Sequence, residues 1–269
     1  MLPESSTKWD FEGNEGMIRC GADLHIHTVL SPCASRHMRP PAIVREAMEK
    51  GMAVIAVCDH NSAANAWAVR QASEALDGPA VIAGMEITTR EEVHVLGLFP
   101  DEAAALAASD DVRDGLPPWR PLLPNASAAG RRTPEQELVD AEGNTTGIET
   151  RMLASASLFD LGETVALIHR HGGLAVAAHI DRRSFSVPGQ LGFLPSDVPF
   201  DGLEVSAAGV TKGKAAAFWG YGIPLLCSSD GHFLSDIGTG FTVLDVREPV
   251  FCELAMAIHG SHGRRCSLA

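Results

Sequence analysis

The sequence predicts an α/β fold of the barrel type. Short runs of β-branched and small apolar residues alternate with stretches of helical composition, which indicates repeated βα units. The runs end in polar residues, and in parallel α/β barrels that end of each strand holds the active site. At 269 residues the chain is long enough to bury a large core, as one barrel or as two smaller domains.

The first hundred residues supply four predicted strands and two predicted helices. The strands are 19–27, 53–59, 80–88 and 92–99, and the helices are 40–50 and 63–76. Pro40 and Pro41 favour a helix start, because proline is tolerated in a first helical turn, and Gly51 ends that helix. Arg90 and Glu91 are predicted to form a turn, so the third and fourth strands are expected to pair as a hairpin.

Residues 101 to about 160 break this rhythm and predict an insertion. The segment contains closely spaced chain breakers: Gly115, Pro117, Pro118, Pro121 and Pro124. A helix is expected near 133–141. We expect the insertion to act as a lid or as a small subdomain beside the site.

The alternation returns after residue 160. The predicted helices are 161–171, 212–219 and 250–259, and the predicted strands are 174–179, 202–206, 224–229 and 241–246. In domain terms, residues 1–18 are predicted as an N-terminal extension. Residues 19–269 are predicted as one barrel domain that carries the insertion.

Composition and charge narrow the function classes. No apolar run approaches the roughly 20 residues that cross a bilayer, so no membrane partner is expected. The N-terminus lacks the basic start and apolar stretch of a signal peptide, and the six cysteines stand singly, which favours the cytoplasm. A net charge of -13 disfavours binding of an extended nucleic acid, which needs a surplus of Lys and Arg. The same charge permits a small phosphorylated substrate or nucleotide in a metal-lined pocket.

Side chains of metal-ligand type cluster at the ends of the predicted strands. They are His25, His27, Asp59, His60, Glu86, His179, Glu204, Asp230 and His232. His25 and His27 lie two residues apart on a strand, so both imidazoles project from one face and can share a metal ion. A single pair of this kind is more often structural, but the other clusters favour a metal site.

These positions form an ordered set of motifs. They read Asp23-Leu24-His25-Ile26-His27-Thr28, Cys58-Asp59-His60-Asn61, Gly84-Met85-Glu86, His94, Ala178-His179 and Ser229-Asp230-Gly231-His232. The set spans about residues 19–235 and resembles the PHP (polymerase and histidinol phosphatase) family. The resemblance implies a distorted, TIM-like (β/α)7 barrel in which two or three divalent metal ions hydrolyse phosphate esters.

The resemblance also implies which residues bind the ions. The implied groups are His25, His27, Glu86 and Asp230 for one site, which also carries the catalysis; Glu86, His94 and His179 for a second; and His60 and His232 for a third. Mixed nitrogen and oxygen ligation favours manganese, iron or zinc over calcium or magnesium.

Three further residues are candidates for this site. Cys33 stands six residues after His27, where the family pattern has His or Asp. It is either a soft third-site ligand that favours zinc or iron, or a buried inert thiol. Arg182 and Arg183 follow His179, and their planar guanidinium groups suit contact with phosphate oxygens. Surface arginines held in salt bridges are the alternative.

Three carboxylates are expected to support ligands and not to bind metal themselves. Asp23 is expected to orient His25, since metal-bound imidazoles usually need such a partner. Asp59 can do the same for its own site. Glu204 either supports a ligand or caps the helix that follows it.

The predicted function is metal-dependent hydrolysis of a small phosphomonoester or nucleotide. Two ions can lower the pKa of a bridging water, so the expected nucleophile is a metal-bridging hydroxide. One alternative is a nuclease acting on a phosphodiester at a nucleic-acid or oligonucleotide end, which the acidic charge disfavours. The other is a non-catalytic metal-binding regulatory module, which the near-complete motif set disfavours.

Overall fold

The computed structural model describes residues 16–119 and 135–269. Most of the predicted N-terminal extension, residues 1–15, therefore lies outside the described residues. So do two of the insertion's prolines, Pro121 and Pro124, and the first part of the helix expected at 133–141.

The described residues contain eleven strands and seven α-helices. The strands are β1 Ile18–Ile26, β2 Val54–Val57, β3 Ala80–Thr88, β4 His94–Phe99, β5 Glu137–Val139, β6 Thr145–Ile148, β7 Leu174–Ala177, β8 Gly202–Ser206, β9 Leu225–Ser228, β10 Thr242–Val246 and β11 Arg265–Leu268. The helices are α1 Pro40–Glu49, α2 Ala66–Ala75, α3 Glu102–Arg113, α4 Leu161–Arg170, α5 Val187–Leu191, α6 Ala207–Thr211 and α7 Phe251–Ile258. Two 3-10 helices are Lys214–Tyr221 and Leu234–Asp236. Within these described segments, no helix has the length and apolar character that spanning a bilayer requires.

Nine of the strands form one sheet in the order β11-β10-β1-β2-β3-β4-β7-β8-β9. Strands β1 to β3 pair in parallel, and so do β7 to β9. Strand β4 runs antiparallel to both of its neighbours, and β10 and β11 extend the sheet in antiparallel fashion. The sheet curves into a nearly closed barrel, which confirms the predicted architecture, although it has nine strands in place of seven.

Backbone hydrogen bonds close the barrel at one end. The Gly231 N–H donates to the His25 carbonyl, and the His27 N–H donates to the Gly231 carbonyl, both at 3.0 Å. A parallel bridge between Ile26 and Gly231 accompanies these bonds. The closure places the first predicted motif beside Asp230, which lies more than two hundred residues later in the chain.

Alternation along the strands separates two apolar layers. Residues such as Ile55 and Val57 pack with the helices around the sheet. Residues such as Ala56 and Leu98 belong to a second cluster that fills the barrel interior, to which α7 contributes Leu254. Burial of both faces explains why these strands read as continuous apolar runs in the sequence.

The inner face changes from apolar to polar along the strands. In β3, Ile82 and Gly84 precede Glu86 on one face, and in β4 the corresponding residues are Leu96 and His94. Because β4 is antiparallel, Glu86 is opposite Leu96 and Thr88 is opposite His94. His94 therefore reaches the polar end from the beginning of its strand, whereas the other predicted clusters follow strand ends.

The predicted insertion differs from the structure in two ways. Residues 102–113 form α3, which packs against β3 and β4 as part of the outer helical layer, so this stretch continues the barrel. The side chain of Asp101 accepts a hydrogen bond from Ala104 N and caps this helix. The helix expected at 133–141 is wrong where that segment is described, because Glu137–Val139 is strand β5 and pairs with β6.

Side-chain caps set several helix starts. Asp160 and Glu163 form a reciprocal capping box at the start of α4, which is where the sequence predicts that helix. Ser206 caps α6 by accepting a hydrogen bond from Gly209 N at 3.1 Å. The alternative role of Glu204 as the cap of this helix is therefore wrong.

Candidate metal centre

The polar end of the barrel contains a cavity of about 390 Å³. The residues that line it include His60, Glu86, His94, His179, Asp230 and His232. His25 and His27 are fully buried next to this wall. Cys33 is also on the wall, so the structure brings all nine side chains predicted as ligands to one place.

The four residues implied for the first metal site converge closely. Nε2 of His25 lies 3.5 Å from a carboxylate oxygen of Glu86 and 3.4 Å from one of Asp230. Nε2 of His27 lies 3.4 Å from Glu86 and 3.3 Å from Asp230. The two Nε2 atoms are 3.2 Å apart.

Glu86 is the centre of the second group. Its Oε1 lies 2.7 Å from Nδ1 of His94 and 3.2 Å from Nε2 of His179, the two histidines implied for the second site. Its Oε2 lies 3.0 Å from Nδ1 of His60. His60 was expected only in the third group, but it also contacts Glu86 of the second group.

Cys33 lies between two imidazoles of the third group. Its Sγ is 3.1 Å from Nε2 of His60 and 3.1 Å from Nε2 of His232. The residue is exposed on the cavity wall, so the buried-thiol alternative is wrong. Partial desolvation opposes ionisation of the thiol, but hydrogen bonds with His232 and His60 outweigh it and lower the pKa of Cys33 to about 7. The thiolate, which is the form that binds metals, is thus accessible at neutral pH.

Hydrogen bonds behind the two buried histidines determine which ring nitrogen faces the cluster. The carboxylate of Glu204 accepts from Nδ1 of His25, with its oxygens at 3.1 and 3.3 Å. Nδ1 of His27 donates to Oγ of Ser31 at 2.9 Å, and Ser31 donates to Asp59 at 2.6 Å. In both rings Nδ1 is engaged on the side away from the cluster, so Nε2 is the nitrogen that faces it.

The carboxylates and imidazoles stabilise each other's charge. Burial disfavours the protonated form of His25, but Glu204 and Asp230 outweigh this effect and raise the pKa of His25 well above its usual value. Burial likewise disfavours the ionised form of Glu86, yet the imidazoles of His94 and His25 hold the pKa of that carboxyl well below its usual range. Glu86 is therefore ionised despite being buried, and its carboxylate is a potential metal ligand.

Several buried atoms of the cluster fit a divalent cation. Five buried atoms of the cluster make no hydrogen bond of regular geometry in the described part of the chain, although all but the last lie at ion-pair distance from another cluster atom: Oε2 of Glu86, Oδ1 of Asp230 and Nδ1 of His60, His94 and His179. A buried polar atom without a partner costs roughly 1–3 kcal/mol, so their concentration at one point favours a bound cation. Three sets of potential ligand atoms lie within 4.8 Å of one another: His25, His27 and Glu86; His60, Glu86 and His94; and His27, His60 and His232. Imidazole nitrogen with carboxylate oxygen suits manganese, iron or zinc.

Residues 23–162 match the family model described as the PHP domain. The match covers just over half of the chain and includes His25, His27, His60, Glu86 and His94. The chain belongs to the PHP family. The match agrees with the family that the resemblance of its motifs implies. The curated proteins contain no match to this chain.

Solved structures share the fold of this PHP domain. The lesion-specific endonuclease Q from Pyrococcus furiosus has a TM-score of 0.60 and 20% identity, over 92% of this chain and 57% of that one. A complex of endonuclease Q with a 27-mer duplex that has an abasic lesion at the active site has a TM-score of 0.59 and 19% identity, over 92% and 58%. A protein from Bifidobacterium adolescentis, provisionally named a metal-dependent phosphoesterase, has a TM-score of 0.53 and 21% identity, over 79% and 87%.

These similarities bear on the expected partners. This PHP domain spans less than three fifths of the length of the endonuclease Q chains. One structure with the same fold holds a DNA duplex, which conflicts with the expectation against nucleic-acid binding that was based on the net charge. At about 20% identity the likeness establishes only the shared fold. The substrate of this PHP domain has to be inferred from its own site.

Sequence reasoning missed Ser31, which links two predicted residues of this PHP domain. Its hydroxyl donates to Asp59 and accepts from the ring of His27 and, at 3.1 Å, from the backbone N–H of His60. Asp59 thus supports its site through Ser31, without direct contact to an imidazole. The only signal in the sequence is that Ser31 follows His27 by four residues, which is too common to single it out.

Replacing Ser31 by alanine is expected to weaken metal binding by about 10- to 100-fold, because the ring of His27 loses the acceptor that fixes its tautomer. Chelator competition with zinc or manganese measures this affinity. Ser31→Thr keeps a hydroxyl and should restore much of it. Ser184→Ala, which removes a serine on the cavity wall, is the matched control. Equal metal affinity in Ser31→Ala and wild type would assign the hydroxyl to packing alone.

The expected role of Asp23 is wrong. Its carboxylate accepts hydrogen bonds from the backbone of Ser229 at 3.0 Å and of Gly238 at 2.9 Å, which ties β1 to the chain after β9. Glu204 holds the ring of His25 instead. Burial raises the pKa of Asp23 to about 6, and the role of this residue is to close the barrel.

The two arginines predicted to contact phosphate both line the cavity. Nη1 of Arg182 lies 2.5 Å from Oδ2 of Asp230, so this guanidinium is held directly above the cluster. Arg183 is exposed and has no ion pair among the residues that the structure describes. The neighbouring Asp181 is bonded to Ser206 and to Lys214, which holds the loop that carries both arginines.

Two cluster residues have strained backbone conformations. His179 has a φ of 31° and Asp230 a φ of 52°, both in the left-handed region that side chains other than glycine rarely adopt. Each such residue costs of order 1–3 kcal/mol and persists only where surrounding contacts require it. The backbone N–H of His179 donates to Glu204 at 3.0 Å, so the same carboxylate positions His25 and His179.

Proposed function

We propose that this PHP domain hydrolyses a small phosphomonoester or nucleotide. The observation that carries the proposal is a cavity of about 390 Å³ that is lined both by the acidic and imidazole cluster and by two arginines. A phosphate group needs neutralisation of its charge and a guided nucleophile, and the arrangement provides donors for both. The non-catalytic alternative is disfavoured, because none of the predicted ligand positions is displaced from the cluster.

The residues that would hold the first two ions form two groups that share Glu86. His25, His27, Glu86 and Asp230 would hold the first, and Glu86, His94 and His179 the second. When bound, two such ions activate water, orient the phosphate and neutralise charge on the leaving oxygen. Glu204 and Ser31 hold Nδ1 of His25 and of His27 on the outer side of the rings. Both Nε2 atoms therefore face the cluster as potential metal ligands.

Arg182 is the residue we assign to the substrate phosphate. Its guanidinium has five N–H donors, and among the described residues only Nη1 has a partner, Asp230. The remaining donors can contact two phosphate oxygens in the bidentate manner that the planar group favours. The ion pair with Asp230 fixes the group in place, since an unpaired arginine would lose more side-chain entropy on binding.

Cys33, His60 and His232 would form a third metal site. The thiolate sulfur replaces the carboxylate or imidazole that the family pattern has at this position, and sulfur prefers zinc or iron. The site adjoins the others through His60, which also contacts Glu86. A third ion there would lie on the cavity wall, where it can meet the substrate.

A nuclease that acts at an oligonucleotide end is the second candidate function. The observation in its favour is the shared fold with a structure of endonuclease Q bound to DNA. The net charge of -13 opposes it, because backbone binding to a long nucleic acid depends on Lys and Arg. A short oligonucleotide, which makes few backbone contacts, is less affected by this charge.

The test is metal content per chain together with phosphate release. The protein is reconstituted with manganese, zinc or iron and offered sugar phosphates, mononucleotides and short oligonucleotides. We expect two or three metals per chain and release of inorganic phosphate from a monoester. If oligonucleotides are shortened and no inorganic phosphate is released, the protein is a nuclease and not a monoesterase. A protein that binds no metal would contradict both functions.

Cys33→Ser separates the third site from the other two. The variant should lose one metal per chain while retaining the remainder, because His25, His27 and Glu86 have no direct contact with the sulfur. Cys252→Ser, at an exposed cysteine on α7, is the matched control. Unchanged metal content in both variants would leave Cys33 without a metal role.

A further inference from the structure

Phe185 stands out on the wall of the cavity. It lies in the loop between β7 and α5, directly after the two arginines, and 42% of its surface is exposed. Apart from the imidazoles of the cluster, it is the one aromatic side chain among the described residues that line this cavity. A large apolar ring is thus placed next to groups that suit a phosphate ester.

The backbone holds this ring in position at a cost. Phe185 has a φ of 58°, in the left-handed region where a bulky residue is a genuine outlier. Its carbonyl accepts a hydrogen bond from the backbone N–H of His94 at 2.8 Å, and the next residue, Ser186, is buried and caps α5. The loop is therefore fixed on both sides of Phe185. Glycine would adopt this conformation without strain, so the retained ring indicates a use for the side chain.

The ring is also oriented by its neighbour. It stacks on the imidazole of His94 with 4.6 Å between ring centroids and an angle of 16° between the planes. One face of Phe185 is covered in this way, while much of the remaining surface is open. A planar group that enters the cavity would meet a flat, preorganised apolar surface beside the cluster.

The size of the cavity leaves room for such a group. Sites for small organic ligands have volumes of roughly 300–1,000 Å³. The cavity of about 390 Å³ lies within that range. A phosphate group alone would be enough to contact the cluster of ligand-type side chains in its lining. The lining of this cavity includes Phe185, Arg183 and Ser184 as well as the cluster.

We propose that Phe185 determines specificity by stacking on a planar ring of the substrate, so that the substrate is a phosphate ester carrying a nucleobase. The proposal rests on the proposed phosphoesterase function. It deepens that function by choosing nucleotides over phosphorylated sugars. Stacking of a base on an aromatic side chain is strong enough to discriminate between them, because every base presents a flat face.

Adenosine 5′-monophosphate and ribose 5-phosphate provide a matched pair of probes. Both present the same phosphate on the same primary alcohol, and they differ at C1′, which carries adenine in the nucleotide and a hydroxyl in the sugar phosphate. In wild type we expect kcat/KM to be at least about tenfold higher for the nucleotide. In Phe185→Ala this ratio should fall by about tenfold, mainly through a higher KM for the nucleotide.

Two further variants separate stacking from simple coverage of His94. Phe185→Leu keeps an apolar side chain over that imidazole but removes the flat ring, so it should behave like Phe185→Ala. Phe185→Trp should retain the preference for the nucleotide. Phe193→Ala is the matched control, because Phe193 is exposed to 62% and does not line the cavity, and it should leave the ratio unchanged.

Binding of adenosine, measured by calorimetry on the metal-loaded protein, distinguishes this proposal from the proposed function. Adenosine has no phosphate, so its affinity does not depend on turnover. Adenosine binding that weakens about tenfold in Phe185→Ala, in a protein without phosphatase activity, would support stacking and overturn the monoesterase. Equal turnover of both esters in wild type and Phe185→Ala, without measurable binding of adenosine, would overturn stacking and leave the phosphoesterase in place.

Discussion

Replacing Glu86 by alanine is expected to lower kcat/KM by more than about 100-fold, since loss of a residue that only supports a ligand already costs about 10- to 100-fold. The carboxylate lies within 3.5 Å of nitrogen atoms from five imidazoles: His25, His27, His60, His94 and His179. In the described part of the chain, Glu86 thus contacts imidazoles from all three proposed groups. Its removal should reduce metal content and turnover together, measured by elemental analysis and phosphate release.

Glu86→Gln tests whether turnover depends on the negative charge of the Glu86 side chain or on its shape. The amide keeps the volume of the side chain but removes the negative charge, so turnover should fall nearly as far as in Glu86→Ala. Glu74→Gln, on the exposed surface of α2, is the matched control and should retain wild-type activity. Normal turnover in Glu86→Ala, with the fold intact by circular dichroism, would contradict the assignment of the metal centre.

Removal of metal by a chelator is expected to abolish turnover and to lower the thermal midpoint Tm by roughly 10 °C. A ligand at a thousandfold excess over its Kd stabilises the folded state by about 4 kcal/mol. The physical reason is the group of buried atoms without hydrogen-bond partners, among them Oδ1 of Asp230 and Nδ1 of His179. Without a cation these desolvated atoms have only the ion-pair contacts within the cluster and no hydrogen bond of regular geometry. Scanning calorimetry before and after chelation measures the change.

Two comparisons make this stability prediction specific. Adding back manganese or zinc should restore both Tm and turnover. Glu86→Ala should show little further loss of Tm on chelation, since its metal affinity is already reduced. A chelated wild-type protein with unchanged Tm would show that the cluster is stable by itself and would weaken the case for tightly held ions.

Much of the fold could be predicted because the local signals agree with the tertiary structure. Strand β3 begins and ends where the sequence predicts, at Ala80 and Thr88, and β8 does so at Gly202 and Ser206. Both have strand length and β-branched or aliphatic residues, and most of their residues are buried on both faces. The α4 start agrees as well, because the Asp160 and Glu163 capping box is a local interaction within four residues.

Some elements that depend on contacts between distant residues were not predicted correctly. The prediction for 133–141 failed where that segment is described, because β5 depends on pairing with β6 and on the hydrogen bond that the Val139 N–H donates to Oδ1 of Asn65. The helix expected near 212–219 is a 3-10 helix from Lys214 to Tyr221, with Trp219 exposed to 69%. Helical composition alone does not distinguish these outcomes.

The sequence by itself determined the chemistry of the site. The order and spacing of His25, His27, Glu86 and the later motifs indicated a metal cluster and a family, because ligand-type side chains after successive strands must meet at one end of a barrel. The structure decided how they meet. Glu204 holds His25 across 179 residues of chain, and the antiparallel direction of β4 brings His94 to the polar end. The roles of Ser31 and Phe185 likewise depend on long-range packing, which leaves no periodic pattern in the sequence that could be read in advance.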